Sequence, residues 1–304
     1  MTAQHRESAG GEAGSGIEAE SRELALTRRQ VFDTVALQAA IATDGPVSGE
    51  SERDGMAVTY ERRDAVAILT IDRPERRNAV DGATAAALRE RYLEFAADDD
   101  ARVLVVTGAG GTAFCAGADL KAMDNPAMAA EGPMGFTRLQ SPKPTIAAID
   151  GWCVAGGLEI ACWCDIRIAG EGSHFGCLER RWGVPLIDGG TQRLPHIVGL
   201  GRALDLMLSG RVIDVAEAMA IGLVTRVVPS GAVLAAAVAL AAEIADFPWP
   251  CVLADRQALY EGLGKPLAEG IAIEAALGRT VVVAAREGAM RFASGAGRGG
   301  KFGG

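Results

Sequence analysis

The chain has 304 residues, 49% of them hydrophobic and 23% charged, and a formal net charge of −9. That length suits one large domain or two modest ones, and the acidic balance offers no basic footprint for nucleic acid. No apolar run reaches bilayer-spanning length, and the polar opening "MTAQHRESAGGEAGSGIEAESRE" has no apolar segment of signal-peptide type, so a cytoplasmic protein with no nucleic-acid or membrane partner is expected.

In chain order, residues 1–22 are rich in Gly, Ser and Glu, "LALTRRQVFDTVALQAAIA" has the makings of a short helix, and "TDGPVSGESERDG" reads as a breaker-rich linker. Residues 1–55 are therefore expected to be a disordered extension and linker before a self-contained core that begins at Met56. "AVAILTI" (Ala65–Ile71) is a β-rich run. "DGATAAALRERYLEF" predicts a helix capped by Asp81, with Leu88, Tyr92 and Phe95 on one stripe. "RVLVVTG" (Arg102–Gly108) and "PTIAAIDG" (Pro144–Gly151) read as buried strands. In "IDVAEAMAIGLV", Asp214 and Glu217 form a capping-box-like start and Gly222 a stop. "LVTRVVP" predicts a late strand. From residue 231 the pattern is helical, interrupted at "FPWP" (Phe247–Pro250). This alternation argues an α/β fold with parallel pairing: a core over 56–230 and a helical region over 231–304.

The six cysteines lack C-x-x-C spacing and are expected to be reduced core thiols. His174 and His196 stand alone, without triad or metal-ligand spacing, and read as structural. Trp152, Trp163 and Trp182 are expected in the core or a pocket wall.

"VAGGLEIACWCD" (Val154–Asp165) places one acid, Glu159, in an otherwise apolar run up to Asp165. A helix beginning at Gly157 would aim free N–H groups and the positive end of its dipole at whatever lies above Gly156. Glu159 would then either cap that helix end or act on the ligand there. "GTAFCAGADLKAM" (Gly111–Met123) adds Ala116, Gly117 and Ala118, small residues that admit close backbone approach, with Asp119 placed to cap a following helix. Two such loops are what a two-donor oxyanion hole requires.

"DRPERRNAV", "FCAGADL", "VAGGLEIACWCD", "FGCLERRWGVP" and "GGTQRL" occur in the order found in the enoyl-CoA hydratase/isomerase (crotonase) family, which the chain resembles from about Tyr60 to Val228. The resemblance implies a spiral of ββα units in two stacked sheets, followed by helices that build a homotrimer or a dimer of trimers. It implies an acyl-CoA thioester as substrate, with coenzyme A part of that substrate and no metal or redox cofactor. The oxyanion donors map onto the N–H groups of Ala118 and Gly156. Ala116, Asp119, Leu120 and Lys121 would line the acyl-CoA channel, with Arg76 and Arg77 bordering the adenine pocket and Lys301 and Phe302 near a neighbour's coenzyme A.

Glu159 and Glu179 match the pair of glutamates that hold water in hydratases, so hydration of trans-2-enoyl-CoA to 3-hydroxyacyl-CoA is the expected reaction. Read without the resemblance, Glu179 would be an exposed acid paired with Arg180 or Arg181. Asp188, in "PLIDGGTQRL", is a departure. It either caps a helix after Gly190 or joins Glu179 in proton shuttling, as in dienoyl-CoA isomerases. An enoyl- or dienoyl-CoA isomerase is therefore one alternative, although those enzymes tend to carry aspartate where Glu159 stands. A non-catalytic acyl-CoA-binding subunit is another, and retention of both glutamates argues against it.

Overall fold

The computed structural model describes residues 56–122, 124–126 and 129–295. The described residues belong to one compact unit. The expectations for residues 1–55 and for Lys301 and Phe302 lie outside the described residues.

Strands β1 (Val58–Arg63) and β2 (Val66–Ile71) form an antiparallel hairpin. Helix α1 (Gly82–Ala97) follows, then the pairs β3 (Val103–Gly108) with β4 (Ala113–Cys115), and β5 (Thr145–Ile149) with β6 (Trp152–Val154). Helix α2 (Gly156–Trp163) leads to the pair β7 (Ile166–Gly170) and β8 (His174–Gly176). Helices α3 (Gly190–Val198) and α4 (Leu200–Ser209), strand β9 (Ile213–Asp214), helix α5 (Val215–Ala220) and strand β10 (Arg226–Val228) complete the spiral. Four helices end the described chain: α6 (Val233–Ala245), α7 (Trp249–Gly262), α8 (Leu267–Thr280) and α9 (Val282–Ala293).

The first strand of each pair enters a six-stranded sheet of order β1-β2-β3-β5-β7-β10, parallel beyond the first hairpin. The second enters a four-stranded sheet, β4-β6-β8-β9, in which only β9 runs antiparallel. This is the expected spiral of ββα units.

The period of two along the strands sorts side chains between two cores. Ala67, Leu69, Leu104, Val106, Ala147 and Ile149 face the small sheet's Phe114, Cys153 and Phe175. The alternate residues Val66, Ile68, Val103, Val105, Ile146 and Ala148 pack on Ala237, Leu240 and Ala241 of α6. Strands buried on both faces explain the near-continuous apolar runs.

Helix α1 is capped as predicted, the Asp81 carboxylate accepting the Thr84 N–H at 2.8 Å, and Leu88, Tyr92 and Phe95 are its buried stripe. At α5, Asp214 accepts the Glu217 N–H, but the expected return bond of a capping box is absent. The Glu217 carboxylate instead takes the Arg211 guanidinium, whose paired charge and fork geometry outcompete a lone amide. Glycine at 222 (φ +80°) ends this element, and the "FPWP" stretch separates α6 from α7. All six cysteines are free, five of them buried, and burial pushes the Cys115 thiol up to about 12, which disfavours the reactive thiolate. His174 stacks on Trp152, and the buried Trp163 donates its indole N–H to the Leu139 carbonyl.

Candidate active site

Helix α2 starts at Gly156, one residue before the predicted Gly157. Its preceding residue, Ala155, adopts φ 51° and ψ −130°, a conformation that L-residues avoid at a cost of order 1–3 kcal/mol. The strain is imposed from both sides: the Ala155 N–H is bonded to the Gly176 carbonyl, while α2 begins immediately afterwards. Glycine is required at 157, where a Cβ would lie 2.1 Å from the Cys115 carbonyl oxygen. The N–H of Gly156, in the helix's first turn, has no intrahelical acceptor.

The loop after β4 meets this helix start. A parallel bridge joins Val80 to Ala118 through the Gly117 carbonyl and the Asp119 N–H, leaving Ala118's own N–H unused by the bridge. A Cβ on Gly117 (φ +89°) would stand 2.8 Å from the Gly156 nitrogen, so loop and helix are in backbone contact. Asn78, fully buried, helps shape this region by donating to the carbonyls of Ala109 and Ala113 and accepting the Arg73 N–H.

A cavity of about 260 Å³ opens above this junction. Of the residues expected at the site, Ala116, Ala118, Leu120, Gly156, Glu159, Glu179 and Asp188 line it, whereas Asp119, Lys121 and Arg76 do not. The helix expected after Asp119 is a single turn, in which the Asp119 carboxylate accepts the Lys121 N–H and reaches Arg73 at 3.4 Å. Pro126 disfavours helical backbone just beyond that turn.

Glu159 is 3% exposed, and its Oε1 accepts the N–H groups of Asp188 (2.9 Å) and Gly190 (2.8 Å). Burial pushes its carboxyl up to about 7, with Asp188 and Glu179 adding to the rise and the two amides opposing it. Glycine at 190 makes room, since a Cβ there would lie 2.9 Å from Glu159 Cγ and Oε1.

Glu179 overturns the surface ion-pair reading. It is 6% exposed, and neither carboxylate oxygen meets a hydrogen-bond partner from another residue. Arg180 and Arg181 turn away to the carbonyls of Met207 and Gly210. The 3-10 turn Leu178–Trp182 carries Glu179 inward, and burial raises its carboxyl above the ordinary value.

Asp188 caps no helix either. The residue before α3 is Gly189 in the left-handed region, and the buried Asp188 carboxylate instead accepts from the Met134 N–H and the Thr137 hydroxyl. Burial raises its carboxyl too. Three desolvated acids thus share one cavity, and the charges of Asp188 and Glu179 add to the rise at Glu159.

Sequence reasoning missed Asn125, Met134, Val184 and Ile187, which also line the cavity; Trp182, expected in the core or a pocket wall, lines the cavity while 72% exposed. The turn signal in "EGPMGF", with Gly132 and Gly135 both at positive φ, marks the loop that carries Met134 but not where that loop packs. A second cavity of about 500 Å³, lined in part by Arg193 and His196, lies beside Asp165, which holds α7 through Arg256 and Tyr260.

Comparison with known proteins gives the same reading. The family model described as enoyl-CoA hydratase/isomerase matches residues 61–295. The chain is 39% identical over 222 residues to the (E)-benzylidenesuccinyl-CoA hydratase of Thauera aromatica, covering 71% of this chain and 87% of that protein. It is 35% identical over 225 residues to the crotonyl-CoA hydratase of Syntrophomonas wolfei, covering 72% and 86%. The crystal structure of enoyl-CoA hydratase EchA1 from Mycobacterium marinum superposes with a TM-score of 0.74 at 36% identity, over 78% of this chain and 96% of that one. With its spiral fold, its backbone junction at Gly117 and Gly156 and its inward-facing carboxylates, the chain belongs to the enoyl-CoA hydratase/isomerase family.

Proposed function

We propose that the protein is an enoyl-CoA hydratase, adding water across the double bond of a trans-2-enoyl-CoA to give the 3-hydroxyacyl-CoA. The observation that carries this reading is the meeting of Ala118 and Gly156 with the desolvated acids Glu159 and Glu179 around one cavity. Relatives named as hydratases, at 34–39% identity, support it.

In this reading the thioester oxygen accepts the N–H groups of Ala118 and Gly156, at the positive end of α2, and electron density drains from the β-carbon. Glu159, its Oε1 held by two amides, takes a proton from water as the new C–O bond forms at that carbon. The displaced π electrons rest on the thioester oxygen as an enolate. They return to bond the α-carbon to a proton delivered by Glu179, whose neutral form is favoured by burial without donors. Losing one oxyanion donor costs about a hundredfold or more in such sites. Three acids, with no cationic side chain among the described lining residues, favour an uncharged acyl group.

The test is a spectrophotometric panel of 2-enoyl, 3-enoyl and dienoyl thioesters with purified protein. Loss of the conjugated 2-enoyl absorbance together with a 3-hydroxyacyl product is expected. No turnover of any thioester would leave a binding subunit and overturn the proposal.

A second reading, a double-bond isomerase using Glu179 and Asp188, is favoured by one observation: Asp188 is desolvated in the same cavity wall. Turnover confined to 3-enoyl or dienoyl compounds would install it, as would Asp188→Asn abolishing turnover that Glu159→Gln spares.

The assembly belonging to this proposal is a homotrimer or a dimer of trimers. Helices α8 and α9 bury none of their own residues and leave Leu267, Ile271, Met290 and Phe292 exposed, an apolar surface that needs a cover. Light scattering that gave a monomer at micromolar concentration would overturn it.

A further inference from the structure

Buried polar atoms without a hydrogen-bond partner are uncommon in folded proteins, and each needs a reason. Among the described residues the side-chain atoms of this kind are the Tyr60 hydroxyl, both Glu179 oxygens and the Asn125 Oδ1. Glu179 and Asn125 both line the 260 Å³ cavity. The proposed reaction uses Glu179 and leaves Asn125 without a role.

The Asn125 amide has a defined orientation. Its Nδ2 donates to the Val80 carbonyl at 3.0 Å and to the Pro133 carbonyl at 3.1 Å. Turning the amide over would press its oxygen against two carbonyl oxygens, so the network admits one arrangement. The unpartnered oxygen is therefore a consequence of the two bonds the nitrogen makes.

Its place in the fold matters as much. The Val80 carbonyl also accepts the Asp119 N–H, which ties Asn125 to the segment carrying Ala118. Pro133 precedes Met134, whose side chain borders Gly156. Asn125 thus braces the segment carrying Ala118 against the loop whose Met134 side chain borders Gly156.

We propose that Asn125 is a substrate-binding residue whose Oδ1 accepts a hydrogen bond from an N–H or O–H group of the bound thioester. The inference rests on the acyl-CoA reading above. A trans-2-enoyl hydrocarbon chain has no such donor. The thioester has one in the cysteamine amide N–H, two carbons from sulfur, and the hydrated product has another in its 3-hydroxyl.

A binding cycle by titration calorimetry tests it. Wild-type protein and Asn125→Ala are each titrated with butyryl-CoA, with its analogue carrying an ester in place of the cysteamine amide, and with 3-hydroxybutyryl-CoA. If the amide is the donor, the substitution weakens butyryl-CoA binding about three- to tenfold and leaves the ester analogue unaffected beyond any common loss. If the hydroxyl is the donor, the extra loss falls on 3-hydroxybutyryl-CoA alone. Either coupling supports the assignment.

Equal losses for all three ligands would overturn it and reduce Asn125 to a brace for the cavity wall; that common loss, read beside the thermal unfolding midpoint, would measure the brace. Failure of wild-type protein to bind butyryl-CoA at all would sink the acyl-CoA reading itself, a result distinct from normal binding without coupling.

Discussion

The surroundings of Glu159 and Glu179 differ more than their shared cavity suggests. Glu159 stands on α2 and accepts two amides from the 188–190 turn, so its carboxylate is held even when charged. Glu179 stands on a short 3-10 turn and receives nothing from any other residue. Two carboxylates at similar burial therefore have different surroundings: one is positioned by donors and the other has none from another residue, while burial raises both above the ordinary carboxylate value.

The largest effect that would break this contrast comes from removing either acid. Glu159→Gln and Glu179→Gln should each lower kcat by about two to four orders of magnitude, measured by loss of enoyl absorbance. Glutamine at 159 keeps an oxygen for the two amides, so its fold should persist by circular dichroism. Equal activity in both variants and wild type would abolish the division of labour.

Next in size is Gly190→Ala. The added Cβ would meet Glu159 Cγ and Oε1 at 2.9 Å, forcing the carboxylate from its amides. A fall in kcat of roughly tenfold or more is expected, with destabilisation of about 1–3 kcal/mol in a denaturant titration. Gly183→Ala, in the left-handed region after the Glu179 turn with nothing within 4 Å of the added Cβ, should strain the backbone without crowding either acid.

The pH dependence of stability sharpens the contrast further. Glu159 is raised from 4.5 to about 7 on folding, so the folded protein binds more protons than the unfolded chain between those values. Stability from this group is fully present below 4.5 and is lost as pH rises through about 7. Glu159→Gln should flatten that slope, read from unfolding midpoints across the window; an unchanged slope would assign it to other groups.

The smallest expected effect is Asp188→Asn. Asparagine can still accept from Met134 and Thr137, so the wall should hold and kcat should change only a few-fold if hydration is the reaction. Removing this neighbouring charge should shift the Glu159-dependent limb of the pH profile downward, because Asp188 contributes to the Glu159 rise.

Legibility followed range. The Asp81 cap and the Leu88–Tyr92–Phe95 stripe were readable because the interactions span three or four residues. So were strands β2, β3 and β5, whose apolar runs report burial on both faces. Glu159 was conspicuous as an acid in an apolar run, and the ordered motifs pointed to Ala118, Gly156 and Glu179. The turn of Asp119, the inward swing of Glu179 and the partners of Asp188 were not readable by local rules, and each local reading failed there. Asp188 meets Met134 and Thr137 across more than 50 residues of chain, a pairing that no periodicity encodes. Asn125 shows the same limit, being defined by carbonyls of Val80 and Pro133 on two other segments.

Helix α1, the buried strands β2, β3 and β5 and the small residues that allow backbone to approach backbone were legible in the sequence alone, because steric fit and apolar patterning act over neighbouring residues. The tertiary structure decided which acids lose water, which keep donors and which residues meet at the cavity. Desolvation and hydrogen bonding depend on what packs against a group, and that comes from segments distant along the chain.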